Sequence, residues 1–152
     1  MIKINITETE KLVLLIKNKF IDLIPQSDEI INNTPIILIS DHNRKEERDQ
    51  IFLQLHAEWK EDGDISGEAV IGKYGKAVLI YTDAILNDKH FCHTAWHELG
   101  HIFTNSINNE LFEEAEYDAR MENDSLIRNG MAFWSEFIAE DIAIRIADNE
   151  PL

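Results

Sequence analysis

The sequence predicts an α+β fold in which a small β-sheet packs on helices, as a single domain covering residues 1–152. Three short runs rich in branched apolar residues, bounded by turn residues, indicate strands. Longer segments before, between and after these runs carry apolar residues at a spacing of three and four, which is typical of helices with one buried face. A chain of 152 residues is long enough to bury one hydrophobic core.

The composition is typical of a soluble protein and argues against nucleic-acid binding. The 14 Lys and Arg residues stand against 29 Asp and Glu residues, and the net charge of −15 repels phosphate groups. Because there is no signal peptide and no apolar run of roughly 18 residues, we expect a cytoplasmic location without membrane contact. The single cysteine, Cys92, cannot form an intramolecular disulfide, and we expect it to be packed rather than reactive.

The chain is expected to begin with an amphipathic helix. Thr7 and Glu10 have the spacing of a capping box, and the apolar stripe that follows them stops at Pro25. The polar segment 26–34 is expected to be a loop.

The middle of the chain is expected to supply the sheet. Segment 35–39 reads as a buried strand, and Asp41 can cap a second helix over residues 44–59. Segments 68–71 and 77–81 are rich in β-formers and flank a glycine-containing turn, so they predict a hairpin. The sheet therefore precedes the segment that carries the chemistry.

The most informative stretch is H-E-L-G-H at residues 97–101, inside a segment predicted to be helical from 88 to about 104. Residues four apart lie one turn apart on a helix, so His97 and His101 can both reach a single zinc ion, Zn²⁺. Glu98 lies beside them, where its carboxylate can hold a water molecule rather than bind the metal. Zinc lowers the pKa of such a water towards about 7, and Glu98 can then accept its proton.

Other residues of this helix are less informative. Asn87 or Asp88 is expected to cap it. His90 and His93 lie on the same stripe as the motif, and we expect them to be solvated, with binding of substrate or support of the site as the alternative. Gly100 costs about 1 kcal/mol of helix propensity relative to Ala, so another helix or a wall of the site is expected to approach closely there.

The last predicted helix, 130–147, carries Glu136 and Glu140 on the same face as several large apolar residues. A charged side chain buried in such a face needs a partner, and a metal ion with its histidine ligands is one. Glu136 is therefore the predicted third ligand, and Glu140 is predicted to accept the free N–H of a liganding histidine. If this face is exposed instead, the two acids need no such partner.

The combination of H-E-L-G-H on one helix with S-E-F-I-A-E on a later one resembles the gluzincin zinc metallopeptidases. The order of a strand, a short connection and the motif helix also resembles the small ImmA/IrrE-type peptidases of bacteria and their mobile elements. The likeness covers about residues 77–147 and implies a zincin-like fold whose C-terminal helix supplies the third ligand. It implies zinc ligation by His97, His101 and Glu136, general-base catalysis by Glu98, and a supporting acid at Glu140.

The chain departs from this family in one respect. The gap between His101 and Glu136 is longer than in many gluzincins, so Glu113, Glu114 and Glu122 remain alternative third ligands. These acids belong to the acidic segment 108–124, which is expected to be a loop and a solvated helical turn, with a lid over the site as the alternative.

The expected activity is zinc-dependent hydrolysis of peptide bonds in an intracellular protein or peptide. The edge of the predicted hairpin could align an extended substrate by strand addition. One alternative is a regulatory or toxin–antitoxin-type interaction protein that keeps the zinc site but cleaves little or nothing. Another is a structural helical domain without a metal. No feature of the sequence predicts an oligomeric state.

Overall fold

The computed structural model describes residues 6–63, 65–121 and 125–149, with the backbone alone for residues 6–7, 108–121, 125–132 and 149. The described residues form five α-helices and three strands. The helices are α1 (Ile6–Leu23), α2 (Asp28–Asn32), α3 (Arg44–Leu55), α4 (Asp88–Met121) and α5 (Ser125–Asn149). The strands are β1 (Ile36–Ile39), β2 (Gly67–Gly72) and β3 (Gly75–Tyr81).

The three strands form one mixed sheet in the order β1-β3-β2. Strand β1 runs parallel to β3, with Ile37 beside Leu79, and β2 runs antiparallel to β3, with Ala69 beside Val78. The predicted α+β class and the predicted hairpin are thereby confirmed.

Both faces of the sheet are buried, so its alternating side chains belong to two different clusters. On one face, Val78 and Ile80 pack with apolar residues of α1, α4 and α5. On the other face, Leu79 and Tyr81 pack against α3. The indole N–H of Trp96, in α4, donates to the carbonyl oxygen of Ile16 at 3.1 Å and ties α4 to α1.

A buried ion pair orients strand β2. The Arg48 guanidinium donates to both carboxylate oxygens of Glu68 at 3.0 Å each, and the Tyr81 hydroxyl donates to the same carboxylate at 2.8 Å. Glu68 is thereby held on the α3 side of the sheet. Since side chains alternate along a strand, Gly67 and Ala69 face α4 instead.

Several helix boundaries differ from the predicted ones. Segment 26–34 is not a loop, because a 3-10 turn at Pro25–Ser27 and the short helix α2 occupy most of it. Asp41 does not cap α3 with its side chain, since a 3-10 turn at Asp41–Asn43 leads into the helix. Thr7 lies inside α1 and is therefore not its N-cap.

Helix α3 ends at Leu55 rather than at residue 59, and the hairpin explains why. His56 adopts a left-handed conformation with φ of 51°. The backbone N–H groups of Lys73 and Tyr74, at the hairpin turn, donate to the carbonyl oxygens of His56 and Leu55. These contacts satisfy carbonyl groups that a helix end leaves free, so the chain can leave the helix there.

Helix α4 begins as predicted and ends later than predicted. The Asn87 side chain accepts the backbone N–H of His90 at 2.8 Å, which confirms Asn87 as the N-cap. The helix continues to Met121, so residues 108–121 are helical rather than a loop. Cys92 is buried in the core, and this burial raises the pKa of its thiol to about 11, as expected for a packed cysteine. Within the described ranges, the helices lack the apolar length needed to span a membrane.

Replacing Gly72 with Ala should destabilise the protein by about 1–3 kcal/mol, because an added Cβ would overlap the carbonyl oxygen of Leu55. The backbone of α3 or of the hairpin would have to move. The measurement is the urea midpoint of unfolding. Gly63→Ala is the matched control, since a Cβ there would meet only the Ile65 Cγ2 atom at 3.9 Å. Equal midpoints for the two variants would contradict the predicted close contact.

Candidate metal centre

Helices α4 and α5 pack antiparallel at a point where both carry small residues. A Cβ on Gly100 would lie 3.0 Å from the Cα of Ala139, so a larger residue would push the two backbones apart by a few tenths of an ångström. The expectation that another helix approaches Gly100 is confirmed. The close approach brings the polar side chains of α5 to the histidines of α4.

The inner nitrogens of the two motif histidines face one carboxylate. His97 Nε2 lies 3.1 Å from Glu136 Oε2, and His101 Nε2 lies 2.9 Å from Glu136 Oε1. The two rings are 5.0 Å apart between centroids. One potential ligand atom from each of these three residues lies within 4.8 Å of the others, which is close enough for one cation to contact all three.

The outer nitrogens of the same histidines also have partners on α5. His97 Nδ1 lies 2.7 Å from Glu140 Oε2, and His101 Nδ1 lies 3.1 Å from the Ser135 hydroxyl. A neutral imidazole that donates from Nδ1 keeps its lone pair on Nε2, which is the atom that can bind a metal. Sequence reasoning assigned no role to Ser135, although it lies next to the predicted ligand.

The two contacts of the His97 ring cannot both be satisfied without an additional positive charge. A carboxylate lies at each of its ring nitrogens, and a neutral imidazole can donate from only one of them. The second contact therefore needs a further proton or a metal cation between nitrogen and oxygen. Burial lowers the pKa of the neighbouring His101, which disfavours a proton on that ring. Two nitrogens and one oxygen form a ligand set that zinc commonly takes.

The face of α5 that carries the two glutamates is exposed, contrary to the premise from which Glu136 was predicted. The Glu136 side chain is 64% exposed and the Glu140 side chain 44%. The large apolar residues beside them, Phe133, Phe137 and Ile144, are also exposed. Among the side chains of α5 that the structure describes, the buried ones are Ala139, Ile142, Ala143 and Ile146. Glu136 therefore reaches the histidines from the rim of the helix contact and not from within a core.

Glu98 lies on the other side of the histidines, between α4 and strand β2. Its carboxylate accepts the backbone N–H of Ala69. Burial raises its pKa to about 7, although the charge of a protonated His97 and the Ala69 hydrogen bond oppose this. A Cβ on Gly67 would lie 3.3 Å from Glu98 Cγ and 2.5 Å from Thr94 Cγ2, so a glycine is needed for this approach. Gly67 directly precedes the predicted strand 68–71, and sequence reasoning assigned it no role. A glycine next to a predicted strand was the signal that could have indicated this close approach.

The two upstream histidines are not simply solvated, so that expectation is wrong. His93 Nε2 lies 2.6 Å from Glu140 Oε1. His90 Nδ1 accepts the backbone N–H of Leu86 at 3.1 Å, beside the N-cap of α4. Both partners lie outside the motif helix, since Leu86 precedes α4 and Glu140 belongs to α5. The hydrophobic pattern of α4 alone gives no information about them.

The alternative third ligands lie where the structure gives no side-chain positions. Glu113 and Glu114 belong to the part of α4 described by its backbone alone, and Glu122 lies outside the described residues. Among side chains that are described, the cluster of His97, His101 and Glu136 is the one that gathers three potential ligand atoms.

In metal-free protein, Glu98→Gln should stabilise the fold at pH 8. A carboxyl group with an ordinary pKa of 4.5 when unfolded and about 7 when folded binds more protons in the folded state between these values. Wild-type stability should therefore fall as pH rises from about 4.5 through about 7, by at most about 3 kcal/mol from this group. The gain on substitution should vanish below about pH 4.5. Urea unfolding in the presence of a chelator, at pH 8 and below about pH 4.5, measures the gain in stability. An equal gain under the two conditions would contradict the prediction.

Comparisons of the chain with protein-family models, with curated proteins and with solved structures found no match. The functional interpretation therefore depends on the donor atoms of the site and on their geometry. It also depends on the position of a half-buried carboxylate, Glu98, immediately beside the histidine pair.

Proposed function

We propose that this protein is a zinc metallopeptidase with a zincin-like fold, which hydrolyses peptide bonds in a protein or peptide substrate. One observation carries the proposal. The Nε2 atoms of His97 and His101 both face the Glu136 carboxylate across the contact between two helices, at 3.1 and 2.9 Å. The H-E-x-x-H spacing explains why the two histidines lie on one side of α4, and the packing of α5 against α4 brings the Glu136 carboxylate to them.

The residues of the site fit zinc by the chemistry of their donors. His97, His101 and Glu136 would hold the ion, and three protein ligands leave a position for water or substrate, as in catalytic zinc sites. When bound, zinc would polarise the scissile carbonyl group and make a water molecule more acidic. Glu140 and Ser135 would keep the inner nitrogens of the histidines available by accepting hydrogen bonds from the outer ones.

Glu98 is the proposed general base. The residue before it, His97, is a proposed ligand, and the backbone N–H of Ala69 holds the Glu98 carboxylate in place. The carboxylate would take a proton from the attacking water, whose oxygen bonds to the carbonyl carbon of the substrate. As the C–N bond breaks, Glu98 would pass this proton to the leaving amine.

Strand β2 supports a proposal for how the substrate is aligned. It lies at the end of the strand order β1-β3-β2, and among the described residues it pairs with β3 alone. Gly67 and Ala69 place this strand directly beside Glu98. An extended substrate that adds to the free side of β2 would therefore run past the metal site.

The first test is the metal content of protein purified without a histidine tag. We expect about one zinc per chain, and we expect a chelator to remove both the zinc and the cleavage of unfolded casein. Added zinc should restore both. His97→Ala should lose zinc, whereas His42→Ala, at an exposed histidine of the turn before α3, should keep it.

Two outcomes would contradict the proposal. Absence of zinc after reconstitution would remove the metal centre. Stoichiometric zinc without cleavage of casein or of other unfolded proteins would favour the interaction protein over the peptidase.

A further inference from the structure

Glu140 bridges two histidines of the same helix. Its Oε1 atom lies 2.6 Å from His93 Nε2, and its Oε2 atom lies 2.7 Å from His97 Nδ1. We propose that His93 is a positioning residue, which acts through Glu140 to hold the His97 ring and its protonated nitrogen in the orientation that binds the metal. The inference rests on the proposed function, because it concerns the same site.

The exposure of Glu140 explains why a second contact is needed. Its side chain is 44% exposed, so water competes for both carboxylate oxygens. With one hydrogen bond to His97, the carboxylate could still rotate about its terminal bonds. A second partner on the other oxygen fixes the plane of the carboxylate, and so fixes the direction in which it accepts the His97 N–H.

The bridge also separates the roles of the two glutamates on α5. Glu136 and Glu140 lie one helical turn apart and both contact His97, one at each ring nitrogen. A carboxylate that is free to turn could compete for the metal. Because His93 occupies one oxygen of Glu140, and His97 Nδ1 the other, Glu140 stays on the outer side of His97. Glu136 is then left as the metal ligand.

A purely structural role is the competing explanation for the His93 contact. The pair joins α4 to α5, and such a tie would stabilise the helix contact without any effect on the metal. The two explanations differ in what they predict for zinc affinity. A structural tie changes the stability of the metal-free protein alone, whereas a positioning residue also changes the affinity of the folded protein for zinc.

The experiment is a double-mutant cycle on the full chain, with zinc affinity measured by competition with a chelating indicator. The variants are His93→Ala, Glu140→Ala and the double variant. We expect His93→Ala to weaken zinc binding about 10-fold and Glu140→Ala about 10- to 100-fold, the range typical of partners that orient a ligand. The double variant should be no weaker than Glu140→Ala, since His93 acts through Glu140. His93→Gln should recover part of the loss, because its amide can donate to the same oxygen.

Two further measurements complete the design. His42→Ala removes a histidine on an exposed turn and should leave zinc affinity unchanged. The visible absorption of the cobalt-substituted protein reports the geometry around the ion. It should change in His93→Ala and return towards the wild-type spectrum in His93→Gln.

The proposal is overturned if His93→Ala binds zinc as tightly as the wild type, or if the effects of His93→Ala and Glu140→Ala add. The first result would assign the contact to structure alone, and the second would show that His93 acts on zinc affinity independently of Glu140. Failure of the proposed function gives a different pattern, because wild-type protein would then bind no zinc, or would bind zinc without cleaving unfolded protein. The affinity measurements do not depend on cleavage, so the two failures are distinguishable.

Discussion

Glu98→Gln is expected to lower the rate of peptide hydrolysis by about 10²–10⁴-fold while leaving zinc bound, which is the range for loss of a general base. An amide has nearly the shape of the carboxylate and can still accept the Ala69 N–H, but it cannot take a proton from water. The measurement is kcat/KM on fluorescently quenched casein, together with the zinc content of the same samples.

The design separates loss of chemistry from loss of structure. Glu98→Gln should make the metal-free protein more stable at pH 8, because it removes a carboxylate that burial disfavours. Lower activity in a more stable protein cannot come from unfolding. Glu46→Gln, at an exposed acid of α3, is the matched control and should keep full activity. A Glu98→Gln variant as active as the wild type would rule out the role of general base.

Glu136→Gln is expected to weaken zinc binding by more than the roughly 10- to 100-fold that is typical for loss of an orienting partner, because it would remove a proposed direct ligand. Glu113→Gln, Glu114→Gln and Glu122→Gln are expected to bind zinc as the wild type does. Competition with a chelating indicator measures all four. Since the Glu136 side chain is 64% exposed, its replacement should leave the urea midpoint of the metal-free protein nearly unchanged.

The opposite pattern of zinc binding among these variants would change the assignment of the third ligand. If one of the three other variants lost zinc while Glu136→Gln retained it, the third ligand would come from the acidic segment after the motif. The contacts of Glu136 with the two histidines would then be hydrogen bonds of the metal-free protein. The proposal that zinc is held between α4 and α5 would have to be abandoned.

Much of the local structure follows from residues close together in the sequence. Two runs of β-forming residues around a glycine-containing turn predicted the hairpin of β2 and β3. A cap at Asn87 or Asp88 predicted the start of α4, and Asn87 is the cap. The end of α3 was not predictable in this way. It depends on carbonyl groups of Leu55 and His56 that accept hydrogen bonds from the hairpin, which follows some distance later in the chain.

The prediction of Glu136 from the sequence rested on a wrong premise. The acid was chosen because a charge inside an apolar face would need a partner, but that face of α5 is exposed. Its large residues, Phe133 and Phe137, point to solvent because the small residue Ala139 takes the contact with α4. Hydrophobic size along a helix therefore did not indicate which side is buried.

The sequence by itself determined that His97 and His101 lie on one side of a helix with Glu98 beside them, because helical geometry relates residues a few positions apart. The tertiary structure alone decided which side chains surround them. Because Gly100 lets α5 approach α4, the histidines are reached by Glu136, Glu140 and Ser135. Because Gly67 lets β2 approach α4, the backbone of Ala69 reaches Glu98. Such contacts join residues far apart in the chain, and they depend on how closely two backbones can pack, which no local pattern encodes.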